Sequence, residues 1–330
     1  MTFRVVVLMT GGTIAHQSKA GVAVMDFDPA TLAAALDLGD VELTFKPLFT
    51  KGSMDIVPQD WRILAAAVAE AIAGEPRGIV ILHGTDTMHY TAAALAFMVQ
   101  NAGMPVVLTG SMRPGGDARS DALANLSDAI RVAAFADLGE VAIVFSADAG
   151  RTRGVIIRGV RARKINSLAL NAFDSINQPP LGYVTGGDIT LVRPPSRPRS
   201  GSAVRLATEL DENVTLLKLT PATTPAFLAR QLDGLSGVVL EGTGVGHVKS
   251  DLQPVLAGFA GPVVIATQAF YGGERLGTYD VDRAILAIPN VIPAGDMTSE
   301  TALVKLMWSL RQGGDVRALM SANVAGEVAH

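Results

Sequence analysis

The chain has 330 residues, of which 49% are hydrophobic and 18% charged, with a formal net charge of −4 and no cysteine. This length and apolar content are sufficient for one large domain or two medium ones. The missing cysteines exclude disulfides, thiolate catalysis and cysteine-based metal sites within this sequence, and the acidic balance disfavours nucleic acid as a partner. Because no apolar run approaches the length of a membrane span or a signal-peptide core, we expect a cytoplasmic protein without a membrane partner.

Short apolar runs alternate with longer amphipathic segments over the first half of the chain. The runs are rich in Val, Ile and Leu, are bounded by Gly or Pro, and occupy residues 4–9, 41–48, 78–82, 105–109 and 141–145. Runs that are apolar on both faces are typical of buried parallel strands. The segments between them predict helices at 28–36, 58–74, 88–101 and 120–136. This alternation predicts an α/β fold with a doubly wound, mostly parallel sheet in a larger N-terminal domain, residues 1–190.

The alternation stops at residues 191–204, which contain proline, serine and arginine and few side chains to bury. Such a composition is typical of a linker. Beyond it, strand patterns at 214–219, 237–240, 263–266 and 291–292 alternate with helix patterns at 225–232, 252–257 and 298–312. We therefore predict a smaller C-terminal α/β domain over residues 205–330.

Polar clusters follow the predicted N-terminal strands at their carboxyl ends, where doubly wound sheets bind ligands. They are TGGT at 10–13, KGSMD at 51–55, HGTDT at 83–87 and GSMRP at 110–114. The two glycines of the first cluster allow backbone N–H groups to approach a ligand closely, and Thr13 can present its hydroxyl there. The cluster indicates either a hydroxyl nucleophile beside an oxyanion hole or a tight turn with a capping threonine.

The third cluster places the Thr85 hydroxyl beside the Asp86 carboxylate. That carboxylate can bind an ammonium group or orient a base, and a helix cap before Met88 is the alternative. His83 and His89 flank the cluster, but a separation of six residues matches no usual helical metal spacing. We therefore interpret both histidines as structural or as residues that support the site from behind, and the sequence suggests no metal and no organic cofactor.

A hydroxyl nucleophile needs a base, which is a histidine in the usual triad or a lysine whose pKa is lowered. Arg161, Arg163 and Lys164 lie together in the segment 161–167. Residue type and spacing alone do not choose among these cations. A solvated basic loop is the simpler interpretation of that segment taken in isolation.

Eight motifs taken together resemble the bacterial-type L-asparaginase family, which includes glutaminase-asparaginases. They are TGGTI at 10–14, GSMD at 52–55, HGTDTM at 83–88, TGSMRP at 109–114, NLSDA at 125–129, RKINS at 163–167, PLGY at 180–183 and AGDMTSETALVKL at 294–306. Each motif alone is weak, but two separated threonine motifs with a lysine segment are specific. The last motif is closer to the cytoplasmic type I branch of the family.

The resemblance implies a role for each matched position of the reacting centre. Thr13 would be the nucleophile that attacks the side-chain amide carbon of the substrate. Thr85, Asp86 and Lys164 would form a second triad, in which Lys164 accepts a proton through Thr85. The backbone N–H groups of Gly12 and Thr85 would hold the oxyanion.

The resemblance also implies how substrate is bound. Ser53 would hold the α-carboxylate and Asp86 the α-amino group, while Met54 stands in this pocket where some members carry glutamine. Asp280 falls where some members place an acidic group that completes the site across an intimate dimer, so a homodimer or homotetramer is expected. The family's mobile loop usually carries a tyrosine near the nucleophile, and the matching position here is Val22.

The leading hypothesis is an amidohydrolase that converts L-asparagine to L-aspartate and ammonia. Substantial activity on L-glutamine is open, because one methylene changes discrimination by only about 1–3 kcal/mol. A tRNA-dependent amidotransferase component is a weaker alternative, because such proteins carry an extra N-terminal domain and TGGT begins here at residue 10. A non-catalytic amino-acid-binding protein is the alternative from another class. The missing tyrosine and Met54 favour it, whereas a retained threonine–lysine relay argues against it.

Overall fold

The computed structural model describes residues 2–12, 14, 16–19, 22–25, 34–117, 119–201 and 203–329. The chain divides into two compact units. The first comprises Met1–Ser175 and Pro179–Leu206, and the second comprises Ile176–Gln178 and Ala207–His330. Among the described residues, no helix has both the length and the apolar character needed to cross a bilayer.

The first unit contains fourteen described strands and three described helices. The strands are β1 (Phe3–Gly11), β2 (His16–Lys19), β3 (Val22–Met25), β4 (Val41–Lys51), β5 (Gly78–Leu82), β6 (Val99–Gln100), β7 (Val106–Thr109), β8 (Val141–Ser146), β9 (Arg153–Arg158), β10 (Ala162–Lys164), β11 (Phe173–Ser175), β12 (Gly182–Thr185), β13 (Asp188–Leu191) and β14 (Arg205–Leu206). The helices are α1 (Pro58–Ala73), α2 (Met88–Met98) and α3 (Ala122–Phe135).

Eight of these strands form one sheet in the order β13-β12-β9-β8-β7-β5-β1-β4. At one end of this order, five neighbouring strands pair in parallel, namely β4, β1, β5, β7 and β8. At the other end, β9, β12 and β13 pair antiparallel with their neighbours. The predicted α/β class with a large, mostly parallel sheet is confirmed. The antiparallel extension was not expected from the sequence.

The sheet of the first unit is covered on both faces. On one face, α3 packs against Val5, Val80 and Val144 within a cluster of fully buried side chains. Residues that alternate with them, such as Ile79 and Ile81, are fully buried as well. Strands buried on both faces read as continuous apolar runs, which is why β5 is visible in the sequence. The carboxyl end of β5 is therefore held by a sheet whose central strands are buried on both faces.

The helix predicted over 88–101 ends at Met98. Val99 leaves helical geometry at φ −112° and ψ 83°, and Val99–Gln100 forms β6, which pairs antiparallel with β14. The helix prediction was therefore too long by three residues, because a distant strand competes for their backbone hydrogen bonds. The helix predicted over 28–36 falls mostly on residues 26–33, which lie outside the described residues.

The segment expected to be a linker, residues 191–204, makes specific contacts within the first unit. The Ser196 N–H donates to Glu140 at 2.9 Å. The Arg199 guanidinium donates to the carbonyls of Ala133 and Ala136, at the end of α3, at 3.1 and 3.0 Å. A cation at a helix C-terminus satisfies carbonyls that have no partner within the helix. Arg199 therefore caps α3.

The second unit is a smaller α/β unit. Its parallel sheet has the order β15 (Val214–Lys218), β16 (Gly237–Gly242), β17 (Val263–Thr267) and β18 (Val291–Pro293). Its helices are α4 (Pro225–Leu232), α5 (Gln253–Gly258), α6 (Asp280–Leu286), α7 (Ser299–Ser309) and α8 (Val316–Ser321). Leu240 and Ile265 belong to the core on one face, and Val239 and Val264 to the core on the other. The predicted smaller C-terminal α/β unit is confirmed.

Candidate active site

The carboxyl ends of β4, β1 and β5 lie side by side, because β1 is the central strand of the three. Their loops are joined by backbone hydrogen bonds. The Gly12 N–H donates to the Lys51 carbonyl at 3.2 Å, and the His83 N–H donates to the Thr109 carbonyl of β7 at 2.9 Å. The four polar clusters read from the sequence are thus gathered at one edge of the sheet.

Close backbone contact at this edge explains the glycines of the first and third clusters. A β-carbon added at Gly12 would lie 2.6 Å from the Gly84 Cα, and one added at Gly84 would lie 2.7 Å from Ser53 Oγ. Gly12 also has a φ of +85°, which disfavours any side chain. The turn at the end of β1 is therefore built for approach to the β5 loop. Thr13, the predicted nucleophile, lies outside the described residues.

Lys164 reaches the third cluster. Its Nζ lies 2.9 Å from Thr85 Oγ1 and 2.6 Å from Asp86 Oδ1. The Lys164 side chain is 13% exposed, whereas that of Asp86 is 62% exposed. Lys164 ends β10, whose antiparallel pairing with β11 sets the direction of its side chain. An amine and a hydroxyl at this separation can exchange a proton directly.

Ser53 lies in the second cluster and is tied to the third. It begins the short 3₁₀ turn Ser53–Asp55, and its buried Oγ accepts the Asp86 N–H at 3.1 Å. The turn follows β4, where the Lys51 Nζ lies 2.8 Å from both carboxylate oxygens of buried Asp60 in α1. Met54, the adjacent predicted substrate-binding residue, is 75% exposed. Ser53 therefore faces the Thr85–Asp86 loop, while Met54 faces solvent.

The fourth cluster is held by two residues of α3 and its start that the sequence reasoning did not assign to the site. The Asp121 carboxylate accepts the Met112 N–H at 3.1 Å. The Asn125 side-chain amide donates to the Gly110 carbonyl and to Asp121, both at 2.9 Å. The signal was a pair of polar residues four apart on the buried face of an otherwise apolar helix. Ser111, which these contacts position, is buried with no partner for its hydroxyl among the described residues.

His83 takes part in a chain of buried hydrogen bonds beneath the third cluster. Its Nδ1 lies 2.7 Å from the Gly84 carbonyl, and its Nε2 lies 3.0 Å from Thr91 Oγ1. The Trp61 Nε1–H donates to the same Thr91 oxygen at 3.0 Å. Burial lowers the pKa of His83 to about 4, so the imidazole is neutral at pH 7.

His89 is also buried and lies against aromatic rings. Its ring centroid is 4.6 Å from that of Tyr90 and 6.4 Å from that of Phe173. Burial, and then the positive charges of Arg163 and Lys164, lower the pKa of His89 to about 3. Over the part of the chain that the structure describes, no three His, Asp or Glu residues are grouped so as to hold a metal ion.

The second unit also has glycine-rich strand ends, but their polar side chains bind backbone carbonyls. The Gln268 amide donates to the carbonyls of Leu219 and Glu241 at 2.5 and 2.9 Å. The Thr267 hydroxyl donates to the Gly244 carbonyl at 2.5 Å. These groups close the turns after β15, β16 and β17.

Asp280, the remaining predicted substrate-binding residue, belongs to the second unit. It is the first residue of α6, and its exposed carboxylate lies 3.3 Å from the guanidinium of Arg283 one helical turn later. Nearby Asp282 is buried and accepts from His247 Nδ1 at 2.8 Å. Asp280 is therefore placed on the surface of its unit.

Comparison with known proteins covers nearly the whole chain. Residues 4–197 match the family model described as Asparaginase, N-terminal, and residues 213–322 match the Glutaminase/Asparaginase C-terminal domain. The chain is 41% identical to the L-asparaginase of Thermococcus kodakarensis, over 98% of this chain and 99% of that protein. It is 38% identical to a glutamyl-tRNA(Gln) amidotransferase polypeptide of the same organism, over 98% of this chain and 76% of that polypeptide.

Solved structures agree with these matches. The structure of the thermostable L-asparaginase from Thermococcus kodakarensis has a TM-score of 0.90 at 38% identity, covering 99% of this chain and all of that one. L-asparaginase I from Vibrio cholerae has a TM-score of 0.85 at 30% identity, with full coverage of both chains. A probable cytoplasmic L-asparaginase from Campylobacter jejuni has a TM-score of 0.80 at 25% identity, covering 97% of this chain and 98% of that one.

Proposed function

The chain belongs to the asparaginase family, and from this premise we propose that it hydrolyses L-asparagine to L-aspartate and ammonia. The observation that carries the proposal is the 2.9 Å contact between Lys164 Nζ and Thr85 Oγ1. It lies at the carboxyl edge of a mostly parallel sheet, where such folds bind ligands. The L-asparaginase of Thermococcus kodakarensis, 41% identical over nearly its full length, supports the same substrate.

In the proposed mechanism, the Thr13 hydroxyl oxygen attacks the side-chain amide carbon and Lys164 accepts a proton through Thr85. The carbon–nitrogen bond then breaks, and the leaving nitrogen takes up a proton and departs as ammonia. Water attacks the resulting threonine ester, which releases aspartate and restores the hydroxyl. Splitting amide hydrolysis into two steps lowers each barrier.

The oxyanion that forms at each step needs backbone donors. The Thr85 N–H is the donor we favour, because the Gly12 N–H donates to the Lys51 carbonyl at 3.2 Å. Gly12 can serve the oxyanion only by sharing or giving up that bond. A single donor of this kind contributes about 10²–10³-fold to kcat.

We further propose that Ser53 and Asp86 bind the two ends of the substrate backbone. Ser53 Oγ would donate to the α-carboxylate, and the exposed Asp86 carboxylate would attract the α-ammonium group. Both residues are tied to the loop that also carries Thr85, since the Asp86 N–H donates to Ser53 Oγ at 3.1 Å. Binding and chemistry would thus share one rigid support, which favours correct orientation of the amide.

The test is ammonia release from L-asparagine and L-glutamine by the purified protein and three variants. Thr13→Ala and Thr85→Val should each reduce turnover at least about 10³-fold, because one loses the nucleophile and the other the relay hydroxyl. Thr190→Val, at an exposed position of β13, is the matched control and should keep full activity. A folded wild-type protein that binds asparagine but releases no ammonia would favour an amino-acid-binding protein instead. Comparing the two amides ranks asparaginase against glutaminase activity.

We also propose a cytoplasmic homodimer or homotetramer in which Asp280 approaches the site of a neighbouring copy. The resemblance to type I family members and the Campylobacter jejuni relative described as cytoplasmic support this. Light scattering during size-exclusion chromatography measures the mass directly. A monomer that retains full activity would contradict the assembly.

A further inference from the structure

We propose that His83 is a positioning residue that sets the direction of the Thr85 N–H by binding the Gly84 carbonyl. The inference rests on the proposed amide hydrolysis, in which that N–H holds the oxyanion. His83 itself does not touch the reacting atoms in this proposal. It acts through one peptide group that it contacts at 2.7 Å.

The peptide that joins Gly84 to Thr85 links the two groups mechanically. Its carbonyl oxygen and its N–H belong to one planar group and, in a trans peptide, point in opposite directions. No cis peptide bond occurs in the described part of the chain. Any contact that fixes the direction of the Gly84 carbonyl therefore also fixes the direction of the Thr85 N–H.

Packing at this edge makes such a restraint necessary. Residue 84 has to be glycine, because an added β-carbon would lie 2.7 Å from Ser53 Cβ. Glycine lacks the side chain that restricts rotation of the following peptide in other residues. The same requirement that lets the loops meet thus leaves the peptide that carries the oxyanion donor without a side-chain restraint at residue 84. The His83 ring supplies the missing restraint.

The hydrogen-bond roles in this chain of contacts are determined by chemistry. A carbonyl oxygen can only accept, so the proton must reside on His83 Nδ1. A neutral ring then has a lone pair on Nε2, which accepts the Thr91 hydroxyl at 3.0 Å. Thr91 Oγ1 in turn accepts the Trp61 indole N–H at 3.0 Å. All three side chains are buried, so water does not compete for these bonds.

Loss of the restraint has a specific consequence. If the peptide rotates, the Thr85 N–H leaves the oxyanion position and the Gly84 carbonyl oxygen can take its place. A carbonyl dipole facing a developing negative charge is repulsive, whereas the N–H is attractive. Turnover should fall, while the contacts of Ser53 and Asp86 with the substrate backbone remain. The expected signature is a lower kcat with KM nearly unchanged.

Two variants of similar size separate this role from simple packing. His83→Asn places an amide NH₂ close to the position of Nδ1 and can still donate to the Gly84 carbonyl. His83→Gln places its amide close to the position of Nε2, which keeps a partner for Thr91 and removes the donor. We expect His83→Gln to lower kcat about 10²-fold and His83→Asn to retain most of it. Equal losses in the two variants, or full activity in His83→Gln, would overturn the proposal.

A second readout measures the oxyanion site directly. The aldehyde analogue of asparagine, aspartate β-semialdehyde, can add the nucleophilic hydroxyl across its C=O bond, so that the former carbonyl oxygen occupies the oxyanion position. His83→Gln should weaken binding of this aldehyde about 10²-fold and leave the KM for L-asparagine nearly unchanged. A parallel rise in that KM would show a merely structural role and contradict the inference.

Nitrogen-15 NMR of the wild-type imidazole keeps the test decisive if His83→Gln does not fold. A neutral ring protonated on Nδ1 is expected at pH 7, and a ring protonated on Nε2 would overturn the proposal. A different result contradicts the proposed function, namely a folded wild type that releases no ammonia. The inference about His83 would then lose its basis as well. An active wild type whose His83→Gln variant is equally active overturns the inference alone.

Discussion

The two parallel sheets end in similar glycine-rich turns but use the neighbouring polar groups differently. At the edge of the first unit, the Thr85 hydroxyl meets the Lys164 amine at 2.9 Å. At the edge of the second unit, the Thr267 hydroxyl and the Gln268 amide donate to backbone carbonyls. A hydroxyl that donates to a carbonyl is fixed as part of the fold. The Thr85 oxygen accepts a hydrogen bond from Lys164 Nζ, and in the proposed mechanism the Thr85 hydroxyl passes a proton to that amine.

This difference teaches that glycine at a strand end is a weak sign of a catalytic site by itself. What distinguishes the first unit is the contact between a threonine hydroxyl and a lysine amine, beside loops held by hydrogen bonds from buried residues. We therefore expect substitutions in the first unit's edge to impair turnover more than stability. Substitutions of buried polar groups in the second unit should do the reverse.

A large effect on activity is expected for Lys164→Met. Removal of a proton acceptor typically costs about 10²–10⁴-fold in rate, so kcat/KM should fall by about 10³. The free energy of unfolding should change by less than about 1 kcal/mol, because the partner Asp86 is largely exposed and such pairs contribute little. Steady-state ammonia release and urea denaturation measure both quantities. A variant that keeps wild-type turnover would remove Lys164 from the mechanism.

The largest effect on stability is expected for Glu327→Gln in the second unit. Glu327 and Lys305 are both fully buried and lie 2.6 Å apart, so the substitution leaves a buried ammonium without its counter-ion. Such losses cost about 3–5 kcal/mol, while kcat per folded molecule should not change. The double variant Lys305→Met/Glu327→Leu is the control and should recover much of the stability. If urea denaturation shows that Glu327→Gln lowers the free energy of unfolding by less than about 1 kcal/mol, the expectation is contradicted.

Acidification should destabilise the first unit through its buried histidines. Burial lowers the pKa of His83 to about 4 and that of His89 to about 3, below the unfolded value of 6.5. The unfolded chain therefore binds protons first as pH falls, so stability is complete above pH 6.5 and is lost between there and the folded pKa values. Between pH 7 and pH 5, each histidine should remove about 2 kcal/mol.

The His89→Phe variant is the control for this pH dependence, because Phe can keep the ring contacts with Tyr90 and Phe173. Urea denaturation at pH 7 and pH 5 should show a smaller loss in this variant than in the wild type. An identical loss in the two proteins would mean that His89 titrates normally in the folded state.

The smallest effect is expected for Asp280→Asn. The substitution breaks an exposed ion pair with Arg283, and the thermal midpoint of unfolding should not change, because exposed pairs contribute little to stability. If Asp280 completes a neighbouring copy's site, KM should rise about 3–10-fold with kcat retained. Arg283→Gln breaks the same ion pair and should leave KM unaltered, which isolates the carboxylate. Equal KM values for the wild type and Asp280→Asn would remove this residue from the substrate site.

The central strands of both sheets could be predicted from the sequence because each is a short Val- and Ile-rich run bounded by Gly or Pro. The prediction for β5 matches its observed bounds, and all five of its residues are buried. The antiparallel strands β9, β12 and β13 were not predicted. Their residues include exposed polar side chains, and their register depends on partners far away in the chain.

The candidate site was less accessible to sequence reasoning than the fold. Within 161–167, residue type alone did not separate Lys164 from Arg161 and Arg163, and the choice came from family resemblance. In the structure, Arg161 is fully buried in the turn that precedes β10, while Lys164 at the end of β10 reaches Thr85. Asp121 and Asn125 were not assigned to the site, although NLSDA at 125–129 begins with Asn125, because their hydrogen bonds to the loop at 110–112 depend on how the chain folds. The roles of Thr13 and Asp280 stay predictions.

The lack of space for a side chain at Gly12 and Gly84 has a consequence for laboratory evolution of this protein. A library randomised at either position should return only glycine, since the neighbouring loop would have to retreat to admit a side chain. Met54 follows Ser53, the residue that Gly84 approaches, and is 75% exposed, so it should accept a wide range of residues. Met54 can therefore be varied while the spacing between the two loops is left intact, and assays of the variants would show whether this residue contacts substrate.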